Sequence, residues 1–297
     1  MKNRLLKLAW ITSLALQICT MVAQNGNDTK IRIIMIGAHP DDCDSKSGGT
    51  AALYAQMGYA VKFVAVTNGD AGHQTMSGIA LAKRRLAEAK ESGKRLGIEY
   101  DVLNNHDGQL IPSLDVRLQI IKKIREWNAD IVMAPRPNDY HPDHRYTGVL
   151  VQDAAYMVAV PNIAPEVPAL KKNPVFVYFE DRFQKPNPFR HDIVVDITSV
   201  YDKKIACLDA HTSQVYEWLP WIGHYEDQVP KNDKEKLQWL TTRYPSKVSD
   251  GSMTSLIKWY GPEKALAAKN VESFEICEYG AQPGDLEIRR LFPMLGQ

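Results

Sequence analysis

The segment IRIIMIGAHPDD, residues 31–42, determines the fold that we expect. Its first half, Ile31–Ile36, is apolar except for one arginine, and Gly37 and a polar loop follow it. A short apolar run without alternation is typical of a strand buried on both faces of a sheet. The segment therefore predicts a central strand whose carboxyl end carries a histidine and two aspartates.

The rest of the first half of the chain alternates short apolar runs with longer amphipathic stretches. Further strands are predicted at Val61–Thr67, Tyr100–Leu103 and Asp130–Ala134, and helices at Gly48–Gln56, Leu81–Leu96, Val116–Trp127 and Asp143–Val158. This order indicates an α/β fold, a mostly parallel sheet with helices on both faces. Ligands of such sheets bind at the carboxyl ends of the strands.

The pattern weakens after Val160, where a proline-rich connection begins. Two more strands (Val175–Phe179 and Asp192–Ile197), a helix (Val200–Ala210) and a strand near Ser273–Tyr279 are predicted. We interpret residues 212–297 as a C-terminal region that covers one side of the sheet. Residues 30–297 are therefore predicted to form a single domain.

The first 23 residues have the features of a secretory signal peptide. Basic residues precede the apolar run Leu8–Val22, and Ala23 is followed by a polar stretch, as in cleaved signals. The run is short and interrupted by polar residues, which disfavours a membrane span, although an uncleaved anchor is the alternative. Cys19 does not suggest lipidation, because the bulky Ile18 precedes it. We therefore expect an exported protein without an integral span in its mature chain.

Charge and cysteine content disfavour a nucleic-acid-binding protein and a disulfide-stabilised fold. The chain has 36 basic and 35 acidic residues, so nothing draws it electrostatically to nucleic acid. Three cysteines remain after signal cleavage, which is too few for a disulfide framework. No pattern predicts an oligomeric state.

Two short polar motifs carry the predicted chemistry. Ala38-His39-Pro40-Asp41-Asp42 follows the first strand, and His141-Pro142-Asp143-His144 follows the fourth. One such motif alone is equally well a turn with a capping aspartate. Two of them at strand ends of one sheet could converge on one cation, and a mixed set of His and carboxylate ligands suits catalytic zinc. Spacing alone leaves open whether Asp41 or Asp42 is the ligand.

With these motifs, residues 31–214 resemble the LmbE-like or PIG-L-like N-acetylglucosaminyl deacetylases. Other matching segments are Gly48-Gly49, Thr67-Asn68-Gly69-Asp70, Arg85 with Glu88, His106-Asp107-Gly108, Asp196-Ile197-Thr198 and His211-Thr212-Ser213-Gln214. The resemblance implies a Rossmann-like sheet, a Zn²⁺ ion and hydrolysis of an N-acetyl (acyl) group on an N-acetylglucosamine-type sugar or conjugate.

The resemblance also assigns roles to individual residues. It implies that His39, Asp42 and His144 are metal ligands. It likewise implies that Asp41 is the general base and that a protonated His141 stabilises the transition state.

Five further residues are candidates for binding the small-molecule substrate: Arg85, Asp70, His73, Asp107 and His211. For Arg85 the alternative is a solvated helix pair with Glu88, and for Asp70 and His73 it is an ordinary Asx turn. His211 alternatively complements a helix C-terminus. The aromatic cluster Trp218, Trp221 and Tyr225 could stack on a sugar, although core packing is the commoner fate of such residues.

The sequence leaves two alternative functions open and disfavours a third. Cys43 stands where the family usually has Glu, which leaves open a catalytically weak or inactive sugar-conjugate binding protein. A metal hydrolase acting on another amide or ester is a second alternative. A dinucleotide enzyme is disfavoured, because the loop 37–42 lacks G-x-G-x-x-G and its two acids would repel a pyrophosphate.

Overall fold

The computed structural model describes residues 30–296 and contains one seven-stranded sheet in the order β3-β2-β1-β4-β5-β7-β6. The strands are β1 (Arg32–Gly37), β2 (Ala60–Thr67), β3 (Glu99–Asn105), β4 (Ile131–Ala134), β5 (Val175–Phe179), β6 (Ile193–Asp196) and β7 (Val271–Gly280). Strands β1 to β5 pair with one another in parallel, whereas β7 runs antiparallel to β5 and β6. The predicted, mostly parallel α/β sheet is confirmed.

The central place of β1 explains its composition. Every residue of the strand after Arg32 is buried, because helices cover both faces of the sheet. Ile33 and Met35 belong to one apolar cluster, and Ile34 and Ile36 belong to the cluster on the opposite face. A strand in this position needs apolar side chains on both faces of the sheet.

The helices in chain order are α1 (Asp42–Gln56), α2 (Gly78–Leu96), α3 (Leu114–Trp127), α4 (Pro142–Met157), α5 (Tyr201–Asp209), α6 (Leu219–Ile222), α7 (Asp233–Arg243), α8 (Asp250–Tyr260), α9 (Pro262–Ala267) and α10 (Asp285–Leu291). Helix α1 begins six residues before its predicted start at Gly48. Its first turn is polar and gave no apolar signal, but Asp42 and Asp44 suit the positive end of a helix.

The C-terminal region does more than cover the sheet. Strand β7 inserts between β5 and β6 and so completes the sheet, while α8 packs against β6. Residues Ile31–Gln297 form one compact unit. The predicted signal peptide, residues 1–23, lies outside the described residues and stays a prediction. Within the described part, no helix has the length and apolarity to cross a membrane.

Candidate metal and substrate site

The two histidine-aspartate motifs meet because β1 and β4 are adjacent. The strands pair in parallel, with Ile33 opposite Ile131, so the loops at their carboxyl ends lie side by side. His39 comes from the first loop and His144 from the start of α4. The ring atoms His39 Nδ1 and His144 Nε2 are 3.2 Å apart.

Asp42 lies against both rings. Its Oδ2 is 3.5 Å from His39 Nδ1, and its Oδ1 is 3.4 Å from His144 Nε2. Ligands bound tetrahedrally to zinc at 2.0–2.1 Å are separated by about 3.3 Å, so these three residues have the spacing of a metal-binding set. Asp42 faces each histidine with a different carboxylate oxygen.

Two groups of described residues could hold a metal through one atom each, with all these atoms within 4.8 Å of one another. One group is His39, His141 and His144, and the other is His39, Asp107 and Asp143; Asp42 belongs to neither.

The second nitrogen of each histidine contacts a carboxylate. His39 Nε2 is 3.0 Å from Asp107 Oδ1 and 3.3 Å from Asp143 Oδ2, and His144 Nδ1 is 3.0 Å from Asp139 Oδ1. Histidines that bind metals typically donate their other N–H to a carboxylate, which fixes the tautomer and the ring orientation. This arrangement fits metal binding through His39 Nδ1 and His144 Nε2. It also makes Asp107 and Asp143 supporting groups of His39.

The same carboxylates make the site favourable for positive charge. Burial opposes protonation of His144, but Asp42 and Asp139 outweigh it and raise its pKa to about 9. The pKa of His39 is likewise raised, because Asp107, Asp143 and Asp42 overcome the effect of burial. These rings and carboxylates could therefore hold a positively charged ion.

Asp41 is held in a strained backbone conformation beside this cluster. Its φ of 141° is a region that residues with a Cβ rarely adopt and that often marks functional sites. Arg85 Nη2 donates to the Pro40 carbonyl and lies 3.2 Å from Asp41 Oδ1, and the Asp41 N–H donates to the Tyr100 hydroxyl at 3.0 Å. Burial raises the pKa of Asp41 to about 6, although the charge of Arg85 opposes it.

His141 stands next to the predicted ligands as the N-cap of α4. Its ring centroid is 4.7 Å from that of His39 and 5.1 Å from that of His144. Its Nδ1 accepts a hydrogen bond from the Asp143 N–H. Burial and the two neighbouring histidines lower its pKa. The Nδ1 contact leaves Nε2 as the ring nitrogen that can donate to a ligand, and the protonation state expected from the sequence stays a prediction.

A cavity of about 840 Å³ opens above the cluster, near the upper end of the range of about 300–1,000 Å³ for small-molecule sites. The predicted metal and catalytic residues all line it, together with Arg85 and Asp107. Arg85 is buried, with 1% of its surface exposed, and so is not a solvated helix pair with Glu88.

The other three substrate candidates contact protein groups instead. Asp70 accepts from the His106 ring and the Asp107 N–H. His73 Nε2 lies 2.8 Å from Glu217 Oε2. His211 is fully buried with Nε2 3.2 Å from Asp44 Oδ2. None of the three lines the large cavity, so their direct contact with substrate stays a prediction.

The structure adds residues that the sequence did not single out. Asp139 supports His144, Asp143 accepts from the Gly108 and Leu110 N–H groups, and Tyr100 holds Asp41. Asp139 lies only two residues before the second motif, and this proximity was a usable signal. Nothing local could reveal Tyr100, because it reaches the site from β3.

Comparisons with known proteins agree with this geometry. The GlcNAc-PI de-N-acetylase (PIG-L) family profile matches residues 34–155. A diacetylchitobiose deacetylase of Thermococcus kodakarensis is 33% identical over 209 residues, covering 66% of this chain and 76% of the relative. A 4-oxalmesaconate hydratase of Pseudomonas putida is 25% identical over 203 residues, 66% of this chain and 78% of that protein.

Solved structures share the fold. An N,N'-diacetylchitobiose deacetylase of Pyrococcus horikoshii superimposes with a TM-score of 0.61 at 27% identity, over 86% of each chain.

Proposed function

Since the chain belongs to the PIG-L family of LmbE-like proteins, we propose that it is a zinc-dependent N-deacetylase. Its substrate is an N-acetylglucosamine-type sugar or conjugate, and the reaction releases the acyl group and a free amine. The observation that carries the proposal is the spacing of 3.2–3.5 Å among His39, Asp42 and His144, next to the strained Asp41. The relatives named as deacetylases supply the choice of an amide as the bond that is cleaved.

Each step follows from the positions of the chain's own groups. His39, Asp42 and His144 would hold the metal, which when bound supplies a Lewis acid and lowers the pKa of water to about 7. Asp41 takes the proton from the attacking water, and its raised pKa of about 6 makes it a better base than an exposed carboxylate. Asp41 then returns this proton to the amide nitrogen as the C–N bond breaks, so that the carboxylate and the free amine leave. His141 donates from Nε2 to the amide oxygen as negative charge develops there, and one such donor contributes about 3 kcal/mol.

Arg85 and Asp107 are the groups proposed to bind the sugar. Arg85 Nη1 forms no hydrogen bond with the described residues, and both side chains line the cavity. A guanidinium and a carboxylate together match the donors and acceptors of sugar hydroxyl groups.

The test is release of free amine from N-acetylglucosamine, its oligomers and its conjugates by the purified protein, with and without zinc. We expect zinc-dependent amine formation that chelation abolishes. Sugar binding without amine release from any of these compounds would favour the alternative of a catalytically inactive binding protein. Release from other amides or esters alone would favour the alternative hydrolase.

A further inference from the structure

A π-helix borders the cavity and lies in the sequence after both histidine-aspartate motifs. It spans Ser213–Trp218, and Gln214 and Trp218 from this helix line the cavity. Its wider turn is costly for a chain and is found most often at functional sites. The helix therefore sets where these two side chains lie.

This π-helix is bound to the loop that follows β2 and to the first turns of α2. Glu217 binds Arg84, with an Oε2 to Nη1 distance of 2.9 Å, and also contacts the buried ring of His73. Gln214 Nε2 donates to the Gly72 carbonyl at 3.0 Å. These contacts hold the backbone that carries Trp218, and a preorganised backbone lowers the entropic cost of binding.

The Trp218 indole offers a supported flat surface. It stacks on Trp221 with ring centroids 5.4 Å apart and an angle of 20° between the planes. Trp221 is 42% exposed and forms the outer layer of the pair. The indole N–H of Trp218 donates to no group among the described residues, so it is available to a ligand.

Gly72 leaves open the space that this indole borders. A Cβ at this position would lie 3.3 Å from Asp107 Oδ2, 3.6 Å from Trp218 Nε1 and 3.7 Å from Arg85 Nη1. The Gly72 backbone is outside the left-handed region, so its conformation does not demand glycine. The Asp107 carboxylate, the N–H groups of Arg85 and Trp218 and the Trp218 ring therefore surround the same space.

We propose that Trp218 and Gly72 form a subsite for a pyranose ring of the substrate, with the ring packed on the indole. A pyranose presents apolar C–H groups on its faces and hydroxyl groups at its edge, which match the indole face and the surrounding polar atoms. This subsite selects sugar amides over amides without a ring. The inference rests on the proposed function for its choice of sugar.

The experiment compares Trp218→Ala, Trp218→Phe and Gly72→Ala with the wild-type zinc-loaded protein. Binding of glucosamine and of its β-1,4-linked dimer is measured by calorimetry, and KM and kcat are measured for the acetylated forms. We expect Trp218→Ala and Gly72→Ala to weaken binding and raise KM by about tenfold or more, with kcat changed less than KM. Trp218→Phe should recover most of the affinity, because it restores an aromatic face.

Gly284→Ala is the matched control, because a Cβ there meets no atom within 4 Å and the backbone is not left-handed. It should bind and turn over substrate like the wild type. Wild-type affinity in folded, zinc-replete Trp218→Ala and Gly72→Ala would overturn the subsite even if amine is released. Conversely, Trp218-dependent binding without amine release from any substrate would refute the proposed function and support the subsite.

Discussion

Replacing Tyr100 with Phe would remove one oxygen atom that holds the backbone of the proposed base. The Tyr100 hydroxyl accepts the Asp41 N–H at 3.0 Å and donates to Asp44 Oδ2 at 3.1 Å. Tyr100 is 2% exposed, so water cannot readily replace this hydroxyl. In the variant, the Asp41 N–H and the Asp44 carboxylate would each lose one hydrogen-bond partner.

The structure sets the size of the effect. A buried donor without a partner costs about 1–3 kcal/mol, and a backbone strained like that of Asp41 stores a similar amount. Without Tyr100 the Asp41 backbone can relax, and a displacement of about 1 Å at a catalytic group costs on the order of 100-fold in rate. We expect kcat to fall by about 10- to 100-fold in Tyr100→Phe, with KM little changed.

Tyr54→Phe is the matched control. Tyr54 is also a buried tyrosine, and its hydroxyl donates to the Leu291 carbonyl at 2.8 Å, in contact with the C-terminal region and not with Asp41. Both variants should lose about 1–2 kcal/mol of unfolding free energy in denaturant titrations, but only Tyr100→Phe should lose kcat. An unchanged kcat in Tyr100→Phe, or an equal loss in both variants, would refute the argument.

Four other outcomes are expected. His144→Ala should lose the metal, as measured by elemental analysis. In the wild type, zinc affinity should rise with pH up to about 9, because bound zinc must displace the His144 proton. Asp41→Asn should keep zinc but lose roughly a hundredfold or more in turnover; loss of zinc instead would show that the two aspartates are assigned in the wrong order. Cys43→Ser should keep zinc stoichiometry and at least a tenth of the activity, since its thiol donates to a backbone carbonyl in the core. Mass spectrometry of the protein from its native host should find a mature N-terminus near Gln24, whereas an intact Met1 would contradict export.

The sequence predicted the parallel part of the sheet best. Strands β1, β2 and β4 are mostly apolar runs, a helix follows each of β1 to β4, and the right-handed crossovers between parallel strands leave few alternatives. The position of β7 could not be predicted in this way. Its ten residues follow a long region in which the sequence has no clear periodic pattern, and only contacts with β5 and β6 determine that it inserts between them in the antiparallel direction.

In the candidate site, too, the sequence predicted the local motifs but not the contacts between distant segments. Both motifs were recognisable because they are continuous in sequence and follow buried strands. The partners of their side chains were less accessible: Asp107 reaches His39 from the loop after β3, and Arg85 reaches Asp41 from α2. Contacts between distant segments leave no periodic pattern in one sequence, so the support of the site became visible only in the fold.

The departure at Cys43 has a different meaning once its neighbours are known. The thiol is buried against β1, where Sγ donates to the Met35 carbonyl, and burial raises its pKa well above the ordinary value. A protonated core thiol is a poor zinc ligand, and Cys43 belongs to neither of the described groups of possible metal ligands. The next residue supplies a carboxyl group instead: Asp44 is fully buried and accepts from the Tyr100 hydroxyl, which in turn accepts the Asp41 N–H. In this chain a carboxylate therefore supports the proposed base from position 44, so a cysteine at position 43 is not by itself evidence of an inactive protein.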